Sequence, residues 1–390
     1  MESYQAKDLL PKMITAEPVR TKNGQLVVNQ GVTLTKQLIA KIQFYNIESV
    51  VVEDFNKDQS TTQTDTAEGE TEKEVDFFTH NSLLHYEQKT GAQSKGAVAE
   101  PSYSQKVKKS AEFQQFQLNF TFGANDLKVI FDSIIAGKPL DTKDMLTKVL
   151  SLIKSDQTSI EFFDMLHNLR SVNDSIYAHC LNVGLIARMI GIWLKLPTED
   201  IDCITVAVLL HDIGKIRIPS DILNKTDKLT EEEFAVIRKH PQFSYDILKN
   251  QNLDQHILNA ALMHHERCDG SGYPNNLSAN EIDDYAIIIA IADVYDAMTA
   301  ARTYRAPLCP FQVIAEFEND GLQKYKPKYI LTFLEQIATT YQNNRVILSN
   351  GETAKIVFLN HQVYSKPLVQ LDDGSCIDLN QSNLFIKAII

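Results

Sequence analysis

Residues 201–215 read IDCITVAVLLHDIGK, and the order of residue types in that stretch decides how the rest of the chain is read. Ile201, Ile204, Val208 and Leu209 recur at three- and four-residue steps, the period of a helix with one buried face. The stripe ends on His211, three residues after Val208, so its imidazole continues the inward face. Asp212 follows at once, then Gly214 and Lys215. Further on, His264-His265-Glu266 runs into Asp269-Gly270-Ser271-Gly272-Tyr273-Pro274. Neutral imidazole and carboxylate together are the donor mix that suits divalent transition metals. Adjacent pairs of such residues beside a glycine-rich turn are poorly explained by core packing. They point to a metal-dependent hydrolase.

Working outward, other stretches deliver the same residue types to the same interior. Val172, Ile176, Cys180, Val183, Ala187, Ile190 and Leu194 form an apolar stripe that places His179 on its buried side, with Asn173 and Asp174 as caps near its start. Thr230 and Glu233 form a capping box for a helix running through Phe234 and Ile237 to His240. Ile257 and Ala261 lead a helix into His264, and the apolar run Ala286 to Ala292 leads into Asp293. Pro310 suits the first turn of a further helix, Phe311 to Phe317. Ligands projected inward from facing helices are a known way to build a metal site in a bundle. Taken singly, each residue has a plainer reading. A lone histidine on an apolar face is usually a hydrogen-bonded core residue. His264-His265 would serve as an exposed polar helix end, and His240 before Pro241 as a helix-terminal charge partner. Their joint occurrence with His211-Asp212 favours metal.

The chain of 390 residues is long enough for two or three domains. The expected fold is α+β and multidomain: a central all-α bundle flanked by a small N-terminal α+β unit and a small C-terminal β domain. Residues 1–53 form the first unit. Asn23-Gly24 marks a hairpin, Thr35 to Tyr45 a helix and Ser49 to Val52 a short buried strand. Residues 54–107, rich in Thr, Gln, Glu, Lys and Ser, read as a largely disordered linker, with room for a short helix around Phe77 to Tyr86. Residues 108–340 are the helical domain and 341–390 the β domain. In the tail, Asn350-Gly351 and Asp373-Gly374 separate the runs Arg345–Leu348, Lys355–Leu359, Leu368–Leu371 and Cys376–Leu379.

A net charge of −12 argues against duplex nucleic acid or an anionic membrane as the main partner, though not against a small phosphate ligand beside bound metal. Five cysteines without a CxxC spacing (Cys180, Cys203, Cys268, Cys309 and Cys376) favour free thiols in a reducing compartment. The N-terminus lacks an apolar signal core, and no membrane span is expected; the chain reads as cytoplasmic.

From about residue 165 to 340 the chain resembles the HD-GYP family, a branch of the HD phosphohydrolase superfamily. The resemblance runs through His211-Asp212-Ile213-Gly214-Lys215-Ile216, Ile218-Pro219, His240-Pro241, His264-His265-Glu266-Arg267 and Asp269 to Pro274. It continues through Ala292-Asp293-Val294-Tyr295-Asp296-Ala297 and Arg302-Thr303-Tyr304-Arg305, with Tyr177, His179 and Asn182-Val183 upstream. It implies a bacterial phosphodiesterase that opens cyclic di-GMP to linear pGpG, with further cleavage to GMP left open, in a family of which some members act on cyclic GMP-AMP. It implies the metal ligands His179, His211, Asp212, His240, His264, His265 and Asp293, with Asp212 bridging two metals. Lys215 falls where the family's lysine faces the scissile phosphate, Gly272, Tyr273 and Pro274 form its named loop, and Arg302 and Arg305 grip phosphate. The plainer alternatives are a solvated helix-end cation for Lys215 and surface ion pairs for the two arginines.

Members with three metals carry a glutamate four residues before the first histidine, and here that position is Ser175. Two divalent ions (Fe, Mn, Ni or Zn) are therefore expected, without a third. Cys268 stands where many members have tryptophan and reads as packing. Glu266 and Asp269 read as partners that orient histidine N–H groups. A non-catalytic receptor for the same ligand, and a superfamily phosphohydrolase of other specificity, stand as alternatives. A homodimer is a candidate assembly, and no regulatory partner can be named.

Overall fold

The computed structural model describes residues 2–21, 26–44, 47–53, 107, 109–152, 158–169, 175–225, 227–300 and 307–390. The chain divides into two compact units, Met1–Leu83 with Asn360–Val363, and Leu84–Leu359 with Tyr364–Ile390.

Among the described residues of the first unit, four short strands and one α-helix enclose a small core. β1 (Glu2–Gln5) pairs antiparallel with β4 (Ser49–Val52), and β2 (Val19–Arg20) pairs antiparallel with β3 (Leu26–Val28). The Asn23-Gly24 turn expected between β2 and β3 lies outside the described residues. α1 (Lys36–Phe44) packs Ile39 and Ile42 against Met13, Val28, Leu34, Val50 and Val52. Lys41 is buried on the same helix, and its Nζ donates to the carbonyls of His361 at 2.8 Å and Gln362 at 2.5 Å.

The second unit is mostly helical and carries a small sheet at its C-terminal end. The helices that position the site are α2 (Ala111–Ile135), α3 (Thr142–Leu150), α4 (Ser159–Leu169), α5 (Ile176–Trp193) and α6 (Thr198–Leu210). They continue as α7 (Glu231–Ile237), α8 (His240–Leu248), α9 (Gln255–Met263), α10 (Asp284–Thr299), α11 (Pro310–Glu316) and α12 (Pro327–Thr340). α5 packs on α6 and α10, and α9 packs on α6 and α8. α5 is apolar nearly all round. By length and composition it meets the minimum for a membrane span, with a mean hydropathy of 1.3, yet 61% of it is buried within this bundle. A helix that is hydrophobic on every side is what the centre of a bundle requires.

Two boundaries differ from the sequence reading. Asn173 and Asp174 lie outside the described residues, and Ser175 caps α5, its hydroxyl accepting from Ala178 N at 3.2 Å. The helix opened by the Thr230–Glu233 capping box stops at Ile237, and His240 begins a new helix with Pro241 in its first turn. Proline fits a first turn because the first amides need no intrahelical acceptor. His240 is thereby placed at the start of α8 instead of the end of α7.

The five strands at the C-terminal end form one antiparallel sheet in the order β8-β7-β6-β5-β9. β5 (Arg345–Leu348), β6 (Thr353–Phe358), β7 (Leu368–Leu371) and β8 (Cys376–Asp378) follow the expected runs, and the two Gly-containing turns join them. β9 (Ile386–Ile389) was not expected and pairs with β5. A π-helical turn, Phe317–Gly321, presents Glu318, whose carboxylate accepts from Tyr364 N at 2.5 Å and Ser365 Oγ at 2.5 Å. The five cysteines are unpaired.

Candidate metal centre

Five helices and one tight turn bring the predicted residues together. α5 supplies His179 one turn in from its capped start. His211 caps the C-terminal end of α6, and Asp212 leaves the helix with φ −101 and ψ 7. The 3-10 turn Ile213–Arg217 then folds Lys215 back over Asp212. That turn lies so close to α8 that a Cβ on Gly214 would sit 2.2 Å from His240 O and 2.4 Å from Ser244 N, a space only glycine can occupy. Gly214 N also donates to Ser244 Oγ at 2.9 Å. His264 caps the end of α9 with His265 after it, and α10 supplies Asp293.

Asp212 is the meeting point. Its Oδ2 lies 3.4 Å from His211 Nε2, 3.5 Å from His179 Nε2 and 2.6 Å from Lys215 Nζ. Its Oδ1 lies 3.1 Å from His240 Nε2 and 3.8 Å from His264 Nε2. Two sets of donor atoms flank it: His179, His211 and Asp293 on one side, and His240, His264 and His265 on the other. The carboxylate turns one oxygen to each set.

The outer nitrogens fix the tautomers. His211 Nδ1 lies 2.5 Å from Val208 O, His240 Nδ1 2.8 Å from Ile237 O, and His264 Nδ1 3.1 Å from Ala261 O. A carbonyl only accepts, so each Nδ1 carries the proton and each Nε2 turns a lone pair inward. His240 Nε2 and His264 Nε2 then face one another at 3.1 Å with no hydrogen between them. His211 Nε2 and Asp212 Oδ1 are buried without a hydrogen-bond partner. Lone pairs converging in a buried site are costly unless a cation joins them. The donor set is one that holds divalent transition metals, so residues and metal fit.

The electrostatics agree. Burial pushes the imidazoles of His264 and His265 well down, assisted by neighbouring histidines, and His211 is also lowered by burial. These groups stay neutral, as ligation requires. Burial alone would lower His179 too, but the carboxylates of Asp293 and Asp296 outweigh it and raise that imidazole to about 9. Against the upward push of burial, the Lys215 ammonium holds the Asp212 carboxyl well below the usual range.

The glycine-rich loop is fastened beside His265. Tyr273 stacks on that imidazole with ring centroids 4.7 Å apart, and the Tyr273-Pro274 peptide is cis. A Cβ on Gly272 would lie 2.4 Å from Arg267 N and from Glu266 Cα. The sequence reading of Glu266 and Asp269 needs correction. The buried Glu266 carboxylate accepts from Asn275 N at 2.6 Å and Leu277 N at 2.9 Å, and Asp269 accepts from Ser271 N and Oγ. Both tie down the loop, and the Nδ1–H groups of His211, His240 and His264 are taken by carbonyls instead. Cys268 is half-buried, its thiol raised to about 11 by burial, as packing requires. Arg302 and Arg305 lie outside the described residues.

Two neighbours were missed. Asp296 Oδ2 lies 2.9 Å from His179 Nδ1 and orients that ring; its signal was the three-residue step from Asp293 along one helix face. Cys180 Sγ lies near the donor atoms of His211 and Asp212, but burial raises its thiol well above the ordinary value and keeps it neutral.

Residues 142–329 match a family model described as an HD domain. A cyclic di-GMP phosphodiesterase of Thermotoga maritima is 35% identical over 191 residues, 48% of this chain and 51% of that protein. The cyclic di-GMP phosphodiesterase response regulator RpfG of Xanthomonas campestris is 44% identical over 125 residues, 31% of this chain and 32% of that protein. A 3′3′-cGAMP-specific phosphodiesterase 2 of Vibrio cholerae is 37% identical over 160 residues, 40% of this chain and 31% of that protein. The chain thus spans about a third to a half of the length of these curated relatives.

Proposed function

We propose that residues 142–329, which match a family model described as an HD domain, belong to the HD-GYP branch, and that this chain is a bacterial, metal-dependent phosphodiesterase acting on a cyclic dinucleotide. Cyclic di-GMP is the leading substrate and 3′3′-cGAMP the nearest competitor. Cleavage of one 3′,5′ bond gives linear pGpG, and cleavage of the second gives GMP. The observation that supports this reading most is Asp212, whose two oxygens face two separate sets of donors.

We assign two divalent ions. His179, His211, Asp293 and Oδ2 of Asp212 would hold one; His240, His264, His265 and Oδ1 of Asp212 would hold the other. Ser175 supports two over three, because its hydroxyl is committed to capping α5. Fe, Mn, Ni and Zn all suit the donors. Bound side by side, such ions supply Lewis-acid charge to a phosphodiester and make water nucleophilic at neutral pH. Lys215, held on Asp212 Oδ2, adds positive charge where phosphoryl oxygens gather charge during cleavage. Tyr273 and the backbone around Gly272 and Pro274 bound the entrance beside His265, and Arg302 and Arg305 are assigned to phosphate.

We read residues 1–53 as an input module, 54–107 as a connector, 108–340 as the catalytic domain and 341–390 as a β appendage. The setting is cytoplasmic, with a homodimer as the candidate assembly.

The test is turnover by the full chain loaded with Mn or Fe, against a panel of cyclic di-GMP, 3′3′-cGAMP and guanosine tetraphosphate. His211→Ala and Asp212→Ala should bring cyclic-dinucleotide hydrolysis to background and lower bound metal. Hydrolysis of guanosine tetraphosphate alone, or ligand binding without turnover by metal-loaded wild type, would overturn the reading.

A further inference from the structure

Arg238 follows the last turn of α7 and is exposed. Its guanidinium carbon lies 4.6 Å from the centroid of Phe234, one turn back on the same helix, and 5.3 Å from that of Tyr273. Tyr273 is the ring stacked on His265. Arg238 therefore stands at the edge of the metal centre, held by two aromatic rings. Among the described residues its hydrogen-bonding fork is uncommitted, with no carboxylate within ion-pair distance. Three other cations of the bundle, among the described residues, are engaged elsewhere. Lys215 is on Asp212, Arg188 is on Asp202, and Arg267 donates to the carbonyls of His264 and Glu266.

A cyclic dinucleotide carries two phosphodiesters. One must lie at Asp212 to be cleaved, and the other then needs a cation that the protein has not already neutralised. A guanidinium fixed by aromatic contacts keeps its planar fork free for bidentate contact with phosphate. We propose that Arg238 grips the non-scissile phosphate of the substrate and so selects cyclic dinucleotides over simple diesters. The assignment rests on the substrate reading given above.

The experiment compares two substrates in the metal-loaded full chain: cyclic di-GMP, and bis(p-nitrophenyl) phosphate, which has a single phosphodiester. Arg238→Gln should raise KM for cyclic di-GMP roughly tenfold, the loss of one charge-assisted contact, with kcat little changed. It should leave turnover of the simple diester unchanged, and Arg238→Lys should recover part of the loss. Equal losses on both substrates, with metal content reduced, would mean that Arg238 only supports the Tyr273–His265 stack, and would overturn the assignment. No change on either substrate would also overturn it. If wild type cleaves the simple diester but no cyclic dinucleotide, the substrate reading falls and takes the assignment with it.

Discussion

Asp293 and Asp296 divide the work at one imidazole. Asp293 meets His179 Nε2 at 3.1 Å and belongs to the inner donor set, while Asp296 meets Nδ1 at 2.9 Å and fixes the ring from behind. A carboxylate behind a ligating histidine sets its tautomer and raises its basicity. Asp296→Asn should therefore lower metal affinity about 10- to 100-fold with the fold intact. Competition with a coloured chelator measures this; an unchanged affinity would show that Asp296 has no part in ligation. Gly214 is constrained differently, by space. Gly214→Ala forces the His211-Asp212 turn away from α8 and should destabilise the protein by about 3 kcal/mol or more. Urea unfolding reads that cost directly, and a near-neutral substitution would contradict the packing described.

At the scale of elements, the ligand-bearing helices were readable because their buried faces repeat every three to four residues. His211 and His264 end such stripes, and Asp293 continues one. The α7–α8 boundary was misread because Phe234, Ile237 and His240 keep that period across a break; Pro241 was the signal that a new first turn had begun. β1 and β9 went unseen for another reason. Each is four residues long and is defined by a partner far along the chain, β4 and β5 respectively. The roles of Glu266 and Asp269 were equally illegible, since a carboxylate's choice between an imidazole and a loop amide is settled by tertiary geometry. Ser175 carried half of its meaning in the sequence, as a missing glutamate; its capping of α5 needed the structure. Ser175→Ala should cost about 1 kcal/mol of stability and leave the metal-to-protein ratio unchanged. Thermal melts paired with elemental analysis test both halves, and a fall in bound metal would count against the capping role.

For the whole molecule, proton and metal would compete for the same buried centre. His179 is raised from its ordinary value of 6.5 to about 9, so in this range the folded chain binds a proton that the unfolded chain releases. Its contribution to stability is fully present below 6.5 and is lost as pH rises through about 9. Chelator-treated protein should accordingly lose melting temperature across that interval. Asp296→Asn, which removes part of the raising field, should flatten the slope; a melting temperature independent of pH there would refute the assignment. The single carboxylate of Asp212 carries a wider consequence. In the proposed two-ion centre both donor sets would draw on one residue, so occupancy of the two positions would be thermodynamically linked. A cation settling on one oxygen orients the group and withdraws charge from the other, so the second equilibrium constant depends on which element arrived first. Reconstituted with iron or with manganese, the proposed centre would accordingly differ in how tightly it keeps its second ion.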